Sequence, residues 1–271
     1  MVMLTSDGAS VMLGRVNGVT AQLQRQVPHL AKQHCVAHRE DLGITNAWEK
    51  IKLMSDIETL MRTVYTIFSR SPNKKHSFEE IAAASDNDAI TFRPLNEVRW
   101  LSRHFALNAI IRNYESLTEY FKVELETSND PIAKYCLKKL QDPQIHIALE
   151  VVNKVHEDLA ALCKAFQKSG VTSIDALDLA HAKIHKIKAQ YLGGVPNWSE
   201  KVRILMQSYT EKDVVIDGKP VITFVEAICS HLEERFPENE FQDWIAFDVL
   251  KLKFGNEQIS SLCKRYALIP L

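Results

Sequence analysis

The stretch Met1-Val2-Met3-Leu4-Thr5-Ser6-Asp7-Gly8-Ala9-Ser10 decides how this chain is read. An apolar run ends in a carboxylate and passes at once into turn residues. That pattern predicts a short buried strand through about residue 6 and a turn at Gly8-Ala9-Ser10. A carboxylate at the carboxyl end of a strand is held firmly yet reaches solvent, which suits a divalent-metal ligand. The same residue also suits the start of a turn before a helix, and the sequence leaves both readings of Asp7 open. No basic segment precedes the apolar residues, so they do not read as a secretory signal but as a strand entered partway.

Downstream of the turn, Val11, Leu13, Val16, Val19 and Leu23 recur at helical spacing to about Gln26, and Pro28 stops them. Leu30 to Val36 reads as a second short strand, and His38 to Lys50 as a helix. Leu53, Ile57, Leu60, Met61, Val64, Tyr65 and Phe68 form an apolar stripe over 51–70, broken by Ser71-Pro72-Asn73. Ser77 with Glu80 predicts a capping box that starts the next helix. From residue 97 the pattern is almost wholly helical, with segments at 97–126, 129–139, 143–169, 173–191, 198–210, 221–235, 239–249 and 256–266. Asp217-Gly218 between two β-branched runs allows a small hairpin. The fold class expected is mostly α: a small α/β piece, then a large all-helical part, with the boundary between Arg93-Pro94 and Trp100.

Composition bounds the function. The 271 residues are 46% apolar and 25% charged, enough for a sizeable core. The formal net charge of −1 gives no global electrostatic footprint for nucleic acid, so any DNA contact must be a local patch. The five cysteines are scattered without a CxxC pair, which fits reduced thiols in an intracellular compartment. No apolar run is long enough to span a bilayer, so no membrane partner is expected.

Two further motifs follow Asp7. Cys35 and His38 stand one helical turn apart. A zinc site needs a second ligand pair, and neither Cys136 nor the His181/His185 couple supplies one. A packed cysteine and a hydrogen-bonded histidine at a strand–helix junction is the reading preferred for Cys35 and His38, and a solvated helix face the one for His181 and His185. Arg99-Trp100-Leu101 opens the long helical part. Trp100 has the surface of a core anchor. Arg99 and Arg103, one turn apart, can face phosphates or pair with acids. Lys74 and Lys75 lie in a short basic cluster that reads either as a solvated face or as a nucleic-acid contact.

Asp7 in Ser-Asp-Gly-Ala-Ser, Cys35-Val36-Ala37-His38 and Arg99-Trp100, in this order and spacing, resemble the core of a transposase of the hAT superfamily (hobo, Activator, Tam3), or a host protein descended from one. The resemblance implies a ribonuclease-H-like domain interrupted by a helical insertion, here residues 1–92 and 93–271. It implies that Asp7 matches the second acid of an Asp-Asp-Glu metal site, Cys35 and His38 its CxxH motif, and Arg99 and Trp100 the start of the insertion. Phe254-Gly255-Asn256-Glu257-Gln258-Ile259 with Leu262 resembles the insertion's far end. The first acid and the final Glu have no counterpart, so this chain is expected to be an internal piece that holds no cofactor. Magnesium or manganese is implied only for a complete parent, with Asp7 as one ligand. DNA, proteins or a second copy are the partners implied, and the nucleus is the compartment. Two other readings stand beside this: part of an active metal-dependent transposase completed outside the chain, and a purely protein-binding helical scaffold.

Overall fold

A computed structural model of the chain describes residues 3–85, 89–95, 101–168, 170–237, 260 and 263–264. Among these the protein is mostly helical, as expected, with two short strands. Strand β1 (Met3–Ser6) leads through helices α1 (Ser10–Leu13) and α2 (Val19–Gln26) to strand β2 (Ala31–His34). Ten helices follow: α3 (Val36–Glu49), α4 (Lys52–Arg70), α5 (Pro72–Ala84), α6 (Ser102–Arg112), α7 (Tyr114–Ser128), α8 (Pro131–Leu140), α9 (Pro143–Phe166), α10 (Ser173–Tyr191), α11 (Glu200–Thr210) and α12 (Lys219–Arg235).

These residues make two compact units, each assembled from separate stretches of chain: 1–45, 162–185 and 230–271 in the first, 46–161 and 186–229 in the second. In the first, β1 and β2 pair in parallel with Met3 opposite Ala31 and Ser6 opposite His34. A parallel pair needs a crossover, and α1 and α2 supply it. The Cys35 N–H donates to the Ser6 carbonyl at 2.7 Å and carries the ladder one step beyond the strands. The buried apolar residues of this unit include Leu30, Ala37, Cys163, Ala180, Ile184, Leu232 and Phe236. The Arg39 guanidinium rests 4.7 Å from the centre of the Phe236 ring. Such contacts favour arginine because its planar, weakly hydrated cation tolerates burial.

The second unit is helical throughout. On α4 the buried residues are Met54, Ile57, Leu60, Met61, Val64 and Phe68. The stripe is the one expected, with Met54 facing inward in place of Leu53. Residues 143–161 of α9 bury Ile145, Ile147, Leu149, Val152 and Val155 on several faces, as a helix enclosed by others must. Trp48 and Phe224 meet edge to face, their centres 5.7 Å apart, in a core shared with Met54 and Leu107.

Local chemistry overrides several expectations. The helix expected to start at Ser77 starts at Pro72 instead. Ser71 accepts the Lys74 N–H at 3.3 Å and Pro72 presets the first turn, so the earlier signal prevails. The hairpin at Asp217-Gly218 does not form: Asp217 Oδ1 accepts the Lys219 N–H at 2.9 Å and opens α12. The single helix expected over 97–126 is interrupted at Asn113, which ends α6 and begins α7. The helix expected over 11–26 is two helices, parted at Gly14 to Gly18. The segments at 239–249 and 254–259, and Arg99, Trp100 and Leu262, lie outside the described residues.

Candidate functional site

The carboxyl end of the β1–β2 pair brings Asp7 and the Cys35–His38 motif together. The parallel register sets Ser6 beside His34, so Asp7 and Cys35 each leave the ladder at the same level. Asp7 is exposed, and its Oδ1 accepts the Ala9 N–H at 3.3 Å, the short-range bond of a turn-forming aspartate. Cys35 and His38 are half-buried. Val36 begins α3 directly, which puts His38 in the first turn of that helix.

His34 is the residue that the motif reading passes over. Its ring lies against the backbone of Gly8. A Cβ at Gly8 would come within 2.6 Å of His34 Cε1, so any larger residue there would push the His34 ring aside. The His34 and His38 rings are 5.2 Å apart. Burial, followed by the positive charges of His38, Arg39 and Arg235, holds the His34 imidazole below its ordinary pKa, while Asp7 works in the opposite sense. The Nε2 atom of His34 is buried and has no hydrogen-bond partner among the described residues. The register could have pointed to it: His34 is the last β2 residue and stands four places before His38.

The strand end is therefore a carboxylate flanked by imidazoles and guanidinium groups. Among the described residues no group of three or more His, Cys, Asp or Glu side chains is placed to hold a metal ion. Asp7 by itself does not make a divalent-cation site, since such ions take several oxygen ligands.

Other candidates lie in the second unit, where their charges meet internal partners. Lys74 Nζ is 3.0 Å from both Glu124 and Asp130, and these carboxylates push its pKa up. Arg103 is largely covered, 3.8 Å from Glu58 and stacked over Trp48. Lys75 stays exposed and pairs loosely with Glu79 at 3.5 Å. Of these three, Lys75 presents the most accessible cation.

His181 departs from the solvated face expected of it. It is half-buried in the first unit, and a ring nitrogen lies 2.6 Å from the Phe236 carbonyl. His185, one turn on, is exposed. Close to His181 along α10, Lys183 is one of the charges felt by Glu40. Glu40 is 2% exposed, and among the described residues neither of its carboxyl oxygens has a hydrogen-bond partner. Burial first, then the negative charge of Asp41, drives its pKa well up, with Lys183 opposing.

The sequence singles out Trp100, whereas the buried tryptophan of the described residues is Trp48. Ile44, one turn before Trp48 and also buried, was the signal available for it. Among the described residues no helix is long and apolar enough to cross a membrane. No family model matches the chain, and no solved structure matches it.

Proposed function

We propose that the chain is a hAT-like, transposase-derived nuclear protein, or part of one, that acts by contact with DNA and with other proteins. The observation that carries this reading is the meeting of Asp7 with the Cys35–His38 turn at one end of a parallel strand pair. In that reading the Arg235 guanidinium takes the phosphate backbone, with His38 adding a ring hydrogen bond; phosphate contact supplies most of sequence-independent affinity. Strand cleavage by two-metal chemistry needs several carboxylates. The motif supplies one in Asp7, so cleavage would fall to a parent protein with further acids.

The test is fluorescence anisotropy of a labelled DNA duplex with the purified chain at about 50 and about 200 mM salt, where a phosphate-dominated interaction loses affinity steeply. The expected result is salt-sensitive binding that His38→Ala and Arg235→Gln weaken while Lys74→Ala does not. Absence of binding at the lower salt, or equal binding by all variants, would overturn the DNA reading and leave the protein-binding scaffold.

A further inference from the structure

Within the second unit, Ala89–Pro94 passes over α4 and α5 and closes one side of a cavity of about 690 Å³. Pockets for small ligands commonly have several hundred Å³, apolar and aromatic walls and a few polar groups. This one has that make-up. Tyr65, Phe68, Phe78 and Phe92 form its wall, and Lys75, Glu79 and Arg93 add charge. The Phe92 ring stacks on Phe68 at 5.0 Å with 18° between planes and meets Phe78 at 5.3 Å.

The non-helical side of this cavity is held by a built-in clamp. Buried Asn113 accepts the Ile90 N–H at 3.0 Å and donates its amide to the Ile90 carbonyl at 2.8 Å. Both backbone groups of one residue are thus fixed by a single side chain, and Phe92 follows two positions later. Pro94 further restricts Arg93 before it.

The charges on the walls are not symmetric. Lys75 and Glu79 neutralise each other at 3.5 Å. Arg93 is exposed, with its guanidinium 5.8 Å from the centre of the Phe105 ring, and no carboxylate of the described residues lies within ion-pair distance of it. An aromatic wall with a guanidinium that no carboxylate among the described residues neutralises selects a flat apolar group that carries a negative charge.

We propose that this cavity binds small planar aromatic anions: the ring lies against Tyr65 and Phe92, on the outer side of the packed Phe68–Phe78–Phe92 cluster, and the anionic group meets Arg93. The site is independent of the strand-end reading above and needs no DNA.

The test uses two fluorescent probes on the purified chain, 1-anilinonaphthalene-8-sulfonate and its uncharged relative N-phenyl-1-naphthylamine. Thermal melts and circular dichroism establish that each variant is folded. The expected result is saturable one-to-one binding of both probes. Phe92→Ala should weaken both by about tenfold through lost apolar contact. Arg93→Gln should weaken the sulfonate by about three- to tenfold, in the range of a partly exposed charge contact, and leave the neutral probe unchanged. Non-saturable binding, binding indifferent to Phe92→Ala, or equal effects of Arg93→Gln on both probes would each overturn the proposal. If Phe92→Ala does not fold, Arg93→Gln, at an exposed position, decides between the outcomes.

Discussion

The indole N–H of Trp48 donates to Nε2 of His156 at 3.0 Å inside the core of the second unit. The rings stand edge to face with centres 5.7 Å apart. This bond requires Nε2 of His156 to be unprotonated. Burial, with the charges of Arg103 and His104 adding to it, holds that imidazole down at about 3. A proton on His156 therefore breaks the bond and leaves a charge in the core.

Acid should destabilise the protein through this histidine. The unfolded chain takes up the proton near the ordinary value, the folded chain only near 3, so stability is full above about 6.5 and falls as pH drops toward 3. His146, held down to about 4 by burial and then by Lys201, acts in the same direction. Between pH 7 and pH 5 each should remove about 2 kcal/mol. Urea melts at both pH values check this: His156→Gln, whose amide oxygen can still accept from the indole, should recover about half of the loss. Trp48→Ala should cost about 3–5 kcal/mol at any pH in this range.

Glu40 should behave with the opposite sign. Its folded pKa is raised, so the folded state keeps a proton that the unfolded state releases. Its contribution is favourable below about 4.5 and is lost as pH rises through the folded value. Replacing a buried acid that lacks hydrogen-bond partners by a residue of like shape removes that penalty. Glu40→Met should raise stability at pH 8 by about 1–3 kcal/mol and flatten the alkaline side of the stability profile. A variant less stable than the parent at pH 8 would mean that Glu40 is ionised and paired.

Lys74 offers a contrast between stability and recognition. Its ammonium is shared by Glu124 and Asp130, yet about a third of the side chain is exposed, so solvent screens the pair. Lys74→Ala should cost less than about 1 kcal/mol and leave DNA affinity unaltered. Lys75→Ala should leave stability unaltered. Chemical denaturation and anisotropy on the two variants separate these effects.

Asn113→Ala should release Ile90. The two hydrogen bonds from Asn113 to Ile90 and a third to the Ala109 carbonyl disappear, at a cost of about 2–3 kcal/mol. Amide hydrogen exchange should then show loss of protection at Ile90, with α4 protected as before. Unchanged exchange at Ile90 would mean that the clamp does not hold this segment.

The helical class, the α4 stripe and the positions of the short strands around Asp7 were legible because their signals are local: apolar period, proline and glycine placement. A buried strand was expected, however, and β1 is half-exposed at Leu4 and Ser6 and exposed at Thr5. Parallel pairing of β1 with β2 was not legible, since it depends on contacts across the α1–α2 crossover. His34 was missed for the same reason, because Gly8 becomes its neighbour only through that pairing. The break at Asn113 had only a weak local signal, an asparagine that competes for backbone bonds, and its two bonds to Ile90 were illegible because Ile90 lies far upstream. Ser77 misled because a capping box resembles any Ser-Phe-Glu-Glu, whereas Pro72 fixes the backbone itself. Lys74 and Arg103 looked available because a sequence does not show Asp130 or Glu58 at their sides.

The interleaving of the two units sets the order in which a ribosome can complete them. Arg39 is synthesised early, and the Phe236 ring on which it rests emerges only after the whole of the second unit. Until then Arg39 lacks the ring on which it rests. Folding that waits for partners so remote in sequence is slow and exposed to wrong association. A truncation before residue 236 should therefore fail in the first unit, the one that carries Asp7, and a chaperone meeting the nascent chain would find its target at that N-terminal end.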